Sequence, residues 1–105
     1  MSGGNPTGAA YPSPDAVTLR LDDDALAPWL RRGEFVWADP DVVAAPGRVV
    51  AVRAADGGGA LVRLLVEEGG ARVLRALRPG YPDLPYDDDA EGRLIGTVVF
   101  TGEAI

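Results

Sequence analysis

The chain has 105 residues, enough for one domain with a modest core. Ten basic residues against sixteen acidic ones give a net charge of -6, shared evenly between the halves: four Arg against seven acids to residue 50, then six Arg against nine. Cysteine, histidine and lysine are all absent, which excludes disulfides, thiolate chemistry, imidazole acid-base work and any lysine base.

In chain order, residues 1–15 (MSGGNPTGAAYPSPD) are rich in Gly, Pro and small residues without periodicity, and are expected to form a flexible arm before a domain at 16–105. Both serines, Ser2 and Ser13, fall in this arm. AVTLRL predicts a strand with Val17, Leu19 and Leu21 on one face and Thr18 and Arg20 on the other. One of Asp22, Asp23 and Asp24 is placed to cap a short helix over 26–32, in which Leu26 and Leu30 share a face and Pro28 fits only the first turn. Gly33 ends it. EFVWA predicts the next strand, with Trp37 in the core; Trp29, beside Arg31 and Arg32, is the better candidate for a contact surface.

Pro46-Gly47 turns into the strand RVVAVRA, and Asp56-Gly57-Gly58-Gly59 predicts a hairpin returning through 60–66. Gly69-Gly70 marks a second reversal before ARVLRAL. Residues 78–92, with three prolines, read as a long polar loop. RLIGTVVF closes the chain as an apolar strand in which Gly96 implies a bulge or a close backbone approach. The expected fold is mainly β: a compact antiparallel domain with one short helix.

DDDALAPWLRRGEFVWADPD resembles the segment around the nucleophile of the LexA-like and UmuD-like self-cleaving serine-lysine peptidases, roughly Asp-Ser-Met-x-Pro-x-Ile-x-x-Gly-Asp. Asp24 stands at the first Asp, Ala25 at the nucleophilic Ser and Leu26 at the Met. Pro28, Leu30 and Gly33 match, and Glu34 replaces the second Asp. Leu61-Val62-Arg63-Leu64 resembles the strand Val-Lys-Arg-Leu that carries the base, with Arg63 read in the lysine's place. Pro79, Tyr81 and Pro82 match a Leu-Asn-Pro-x-Tyr-Pro loop, and Leu94-Ile95-Gly96-Thr97-Val98-Val99 matches the last strand. The resemblance implies the family's β fold, a bacterial or phage regulatory setting, and an activated-nucleophile site that this chain has lost. Ala25 has nothing to deprotonate, and Arg63 cannot become a neutral base. The family's cleavage bond in the arm, Ala-Gly or Cys-Gly, is also missing, since the arm has only Gly8-Ala9.

The expectation is therefore a pseudo-peptidase without catalytic residues, cofactor or metal, acting as a dimerisation or partner-binding module in transcriptional regulation. A homodimer is expected through an edge formed by Leu94, Ile95, Val98, Val99 and Phe100, with Trp29 as a further contact. A separate DNA-binding domain or protein partner is implied, the chain being a fragment or a stand-alone regulator. With no basic patch in the linear sequence, direct nucleic-acid binding is not expected, unless Arg31, Arg32, Arg72, Arg75 and Arg78 converge. No apolar run or leader signal is present, so a cytoplasmic, membrane-free protein is expected.

Alternatives remain beside this. Ala25, Leu26 and Pro28 fit a plain loop with no catalytic past, and Arg63 fits an outward strand residue. A phage structural or accessory role is a rival. So is a hydrolase pairing a carboxylate from Asp22–Asp24 with one from Asp87–Asp89. As calcium ligands, both acidic runs lack the alternating spacing.

Overall fold

A computed structural model describes residues 13–100 and 103–105. The alternating apolar segments form strands β1 (Val17–Arg20), β2 (Phe35–Asp39), β3 (Val49–Arg53), β4 (Ala60–Glu68), β5 (Ala71–Arg75), β6 (Leu84–Pro85), β7 (Leu94–Phe100) and β8 (Glu103–Ala104), with one helix, α1 (Asp88–Gly92). They make one antiparallel sheet in the order β1-β2-β7-β3-β4-β5-β6, with β8 paired to β7. The fold is thus the antiparallel β domain with a single short helix that the sequence implies.

Alternation along the strands divides the apolar residues between two faces. One core gathers Leu21, Leu26, Leu30, Val36, Ala38, Val49, Ala51, Val62 and Val98. The other gathers Val50, Val52, Leu65, Leu74, Tyr86 and Ala90. The central strand β3 is covered on both sides, which is why it reads as an unbroken apolar run, buried from Val49 through Val52.

Gly96 is the point of closest packing. A Cβ there would lie 2.7 Å from the backbone N and C of Asp39 and 2.8 Å from the carbonyl carbon of Ala38. The register of β3 against β7 also shifts between Ala51 and Val52, beside Gly96. Both the bulge and the close approach implied by this glycine are present.

Five expectations are corrected. The segment 26–32 is a set of turns, not a helix: Trp29 and Leu30 both donate to the Leu26 carbonyl, at 3.0 and 3.1 Å, and the ladder goes no further. Pro28 has no N–H to contribute, and a residue before proline is disfavoured from the helical conformation; the Ala27–Pro28 peptide is cis. The helix lies instead inside the supposed loop 78–92, where Asp87 caps α1 by accepting from the Ala90 N–H at 3.0 Å. That segment also contributes β6.

Trp37 points out, 42% exposed, because in β2 the inward positions belong to Val36 and Ala38. β7 is not an edge strand: it lies between β2 and β3 and also pairs with β8, so Val98 and Val99 are buried inside the domain. Leu94 packs against the second core and Ile95 against the first; the side chain of Phe100 is outside the described residues. Finally, Ser13 is tied down. Its N–H and its hydroxyl each donate to the buried Asp39 carboxylate at 2.7 Å. Ser2 and Gly8-Ala9 fall outside the described residues.

Candidate functional site

The loop between β1 and β2 carries the motif residues, and its backbone is pinned from both sides. Ala25 is fully buried; its N–H donates to Asp23 Oδ1 at 3.1 Å. Its carbonyl accepts from the N–H groups of Leu77 and Arg78, at 2.7 and 3.2 Å. Asp24 presents its N–H to the Tyr81 hydroxyl at 3.3 Å and its carboxylate to the Arg32 N–H at 3.1 Å. The Pro79–Pro82 segment, turning at Gly80, is thereby folded onto the position that the motif assigns to the nucleophile.

The flanking motif residues have structural work. Leu26 and Leu30 bury their side chains in the first core, while Pro28 and Trp29 face solvent, Trp29 at 50% exposure. Gly33 adopts φ +89°, and its N–H donates to the Leu21 carbonyl at 2.9 Å. Glu34 closes the same turn: its carboxylate accepts from the Arg31 N–H at 2.5 Å and its carbonyl from the Leu21 N–H at 2.8 Å.

Arg63 is not a solvated strand residue: it is 5% exposed. Its Nη2 donates to Asp23 Oδ2 at 3.2 Å and its Nη1 to the Val62 carbonyl at 2.9 Å. Its Cζ stands 5.3 Å from the Tyr81 ring centroid. Asp23 thus receives both the Arg63 guanidinium and the Ala25 N–H. The two positions singled out as degenerate are brought together through one carboxylate, a partner that the sequence hides within a run of three aspartates.

Matched one for one, Leu61-Val62-Arg63-Leu64 sets Val62, not Arg63, against the lysine of Val-Lys-Arg-Leu. Val62 packs in the same core as Leu26, whereas Arg63 pairs across the sheet with Val50, which belongs to the other core. Neither side chain can exist as a neutral amine at ordinary pH.

The carboxylate pair is not assembled. Asp87 caps α1 and Asp89 pairs with Arg93 at 3.2 Å. Asp23 is held by Arg63 and Asp24 lies 3.7 Å from Arg32. None of the six aspartates in the two runs is buried. Among the described residues no group of three His, Cys, Asp or Glu could hold a metal ion, and no helix is long and apolar enough to cross a membrane.

The Peptidase S24-like family model matches residues 6–99. The chain is also 31% identical, over 102 aligned residues, to the prophage repressor CohE of Escherichia coli (strain K12). That match takes in 92% of this chain and 46% of the relative, so the chain spans about half of that protein's length. With the family model covering nearly the whole chain on a matching antiparallel fold, this chain belongs to the Peptidase S24-like family.

Proposed function

We propose that this chain is a catalytically inert S24 domain, kept as a dimerisation or partner-binding module in bacterial or phage transcriptional regulation. The observation that carries the reading is the content of the motif loop. The backbone around Ala25 is held by Asp23, Leu77 and Arg78, yet the position ends in a methyl group. Self-cleavage by this family's chemistry needs a hydroxyl and a base that can lose its proton. Ala25 lacks the first, and Val62 and Arg63 both lack the second, in a chain without a single lysine. The regulatory setting is supported by the similarity to a protein named as a prophage repressor.

Incubating the purified chain at neutral and strongly alkaline pH while following intact mass tests the inert reading. The expected result is an unchanged mass. Cleavage that persists after contaminating protease is excluded would overturn it.

The dimer rests on a different surface from the one the sequence suggests. β7 is internal, but the outward side of the sheet's β1–β2 end carries Phe35, 67% exposed, and Trp37, with Trp29 exposed on the loop that joins β1 to β2. Exposed aromatics clustered on one face of a sheet are what a partner would cover. Light scattering coupled to size exclusion should show a concentration-dependent dimer that Phe35→Glu weakens. A monomer mass at high concentration would remove the dimer and leave only a heterologous partner.

A further inference from the structure

A pocket of about 500 Å³ opens between the β3–β4 hairpin, β6 and the start of α1, and of the residues matched to the peptidase motifs only Leu61 lines it. That volume is within the range of small-molecule sites. Its floor is apolar: Val52, Leu61, Leu74 and Leu84, all of which belong to the second core or pack against it. The same cluster holds Tyr86, whose hydroxyl is buried without a hydrogen-bond partner among the described residues.

The rim is acidic. Asp56, Asp87 and Asp89 face the pocket against one cation, Arg93. Arg93 is already committed, through Nε and Nη2 to Asp89 Oδ2 and through Nη1 to the Arg53 carbonyl. Asp56 uses Oδ1 to accept from the Gly58 N–H at 2.7 Å, and Asp87 uses Oδ1 to accept from the Ala90 N–H at 3.0 Å. Each keeps Oδ2 without a partner among the described residues. An anionic ligand would meet three carboxylates and find no free cation at this rim, whereas a cation with an apolar body complements both rim and floor.

We propose that this pocket binds an organic cation with an apolar body, an ammonium or guanidinium group carried on an alkyl or arylalkyl stem. The stem lies on Val52, Leu61, Leu74 and Leu84, and the charged head meets the open carboxylate oxygens of Asp56 and Asp87. Such a group comes either as a free amine or as a basic side chain of a peptide. The site is independent of the inert-peptidase reading: its floor belongs to the core opposite to that of Leu26 and Val62.

The test is amide NMR on the full chain, titrated with phenethylammonium and separately with N-acetyl-leucyl-arginine amide. Phenylacetate and N-acetyl-leucyl-glutamate amide are the charge-reversed controls. At least one cation should shift the amides of Val52, Leu61, Leu74 and Leu84 saturably, with Kd on the order of 1 mM or tighter, and the anions should not. Saturation by the amine alone identifies a free small molecule as the source, and saturation by the dipeptide identifies a peptide segment. Asp56→Asn combined with Asp87→Asn keeps a side-chain oxygen to accept from the Gly58 and Ala90 N–H groups and should weaken binding about tenfold, the size of a lost charge contact. Absence of shifts at these amides up to roughly 10 mM cation, equal shifts from the anions, or unchanged affinity in the double variant would each overturn the proposal.

Discussion

The guanidinium of Arg63 lies over the ring of Tyr81, with Cζ 5.3 Å from the ring centroid, while the Tyr81 hydroxyl accepts the N–H of Asp24. One aromatic side chain therefore bridges Arg63 on β4 and Asp24 in the loop between β1 and β2. The cation it covers is paired to Asp23, which also receives the Ala25 N–H. The motif loop is thus held by an ion pair, a cation–π contact and backbone hydrogen bonds, none of which uses the Ala25 side chain.

Removing either charge of this pair should destabilise the domain, but unequally. Asp23→Ala strands a nearly buried guanidinium and is expected to cost about 3 kcal/mol. Arg63→Met leaves behind the Asp23 carboxylate, whose side chain is 28% exposed and can recover water, so its cost should be smaller, about 1–2 kcal/mol. Urea unfolding of the two single variants and the double variant measures both costs and their coupling. Equal or reversed costs would contradict the buried-cation account.

Gly96→Ala is expected to be among the most damaging single changes. The added Cβ meets backbone atoms of β2 at 2.7 Å, and backbone cannot rotate aside as a flexible side chain would. A loss of about 3 kcal/mol or more, or failure to accumulate as folded protein, should follow. Circular dichroism and urea unfolding check this, with Gly92→Ala as the control because a Cβ there meets nothing within 4 Å.

Stability should fall at acid pH partly through Asp39. Burial alone would raise its pKa, but hydrogen bonds from the Ser13 N–H, the Ser13 hydroxyl and the Asp41 N–H together outweigh burial and hold the carboxyl below its usual value. A carboxyl with a depressed folded-state pKa contributes stability that is present above about pH 4 and is lost as pH falls through the folded value. Ser13→Ala should raise the Asp39 pKa and cost about 1 kcal/mol at neutral pH, with a smaller cost once Asp39 is protonated. Carboxyl-resolved NMR titration and urea unfolding at both pH values test the sign.

Duplex DNA should not bind the isolated chain measurably at physiological salt. Of the arginines capable of converging, Arg75 is bonded to Glu68 at 2.7 Å and to Asp83 at 2.8 Å, and Arg32 lies 3.7 Å from Asp24. These acids cancel the field that a phosphate backbone would need. A labelled-duplex titration at low and moderate salt decides it; salt-sensitive micromolar binding would contradict the expectation.

The sequence by itself determined the β class, the positions of the hairpins, the need for a glycine at position 96 and the lack of Ser and Lys at the motif, because these follow from local periodicity, turn chemistry and residue identity. Tertiary structure alone decided the rest. Leu94–Phe100 reads as an edge because strand order is set by long-range pairing, and β2 and β3 turn out to flank it. Trp37 reads as core because an aromatic in a short strand gives no sign of which face is covered; the burial of Val36 and Ala38 settles it. The helix passes from 26–32 to Asp88–Gly92 because Pro28 interrupts the first segment while Asp87 caps the second. Arg63 and Asp23 lie forty residues apart in the chain, and only folding brings the charge of one against the other.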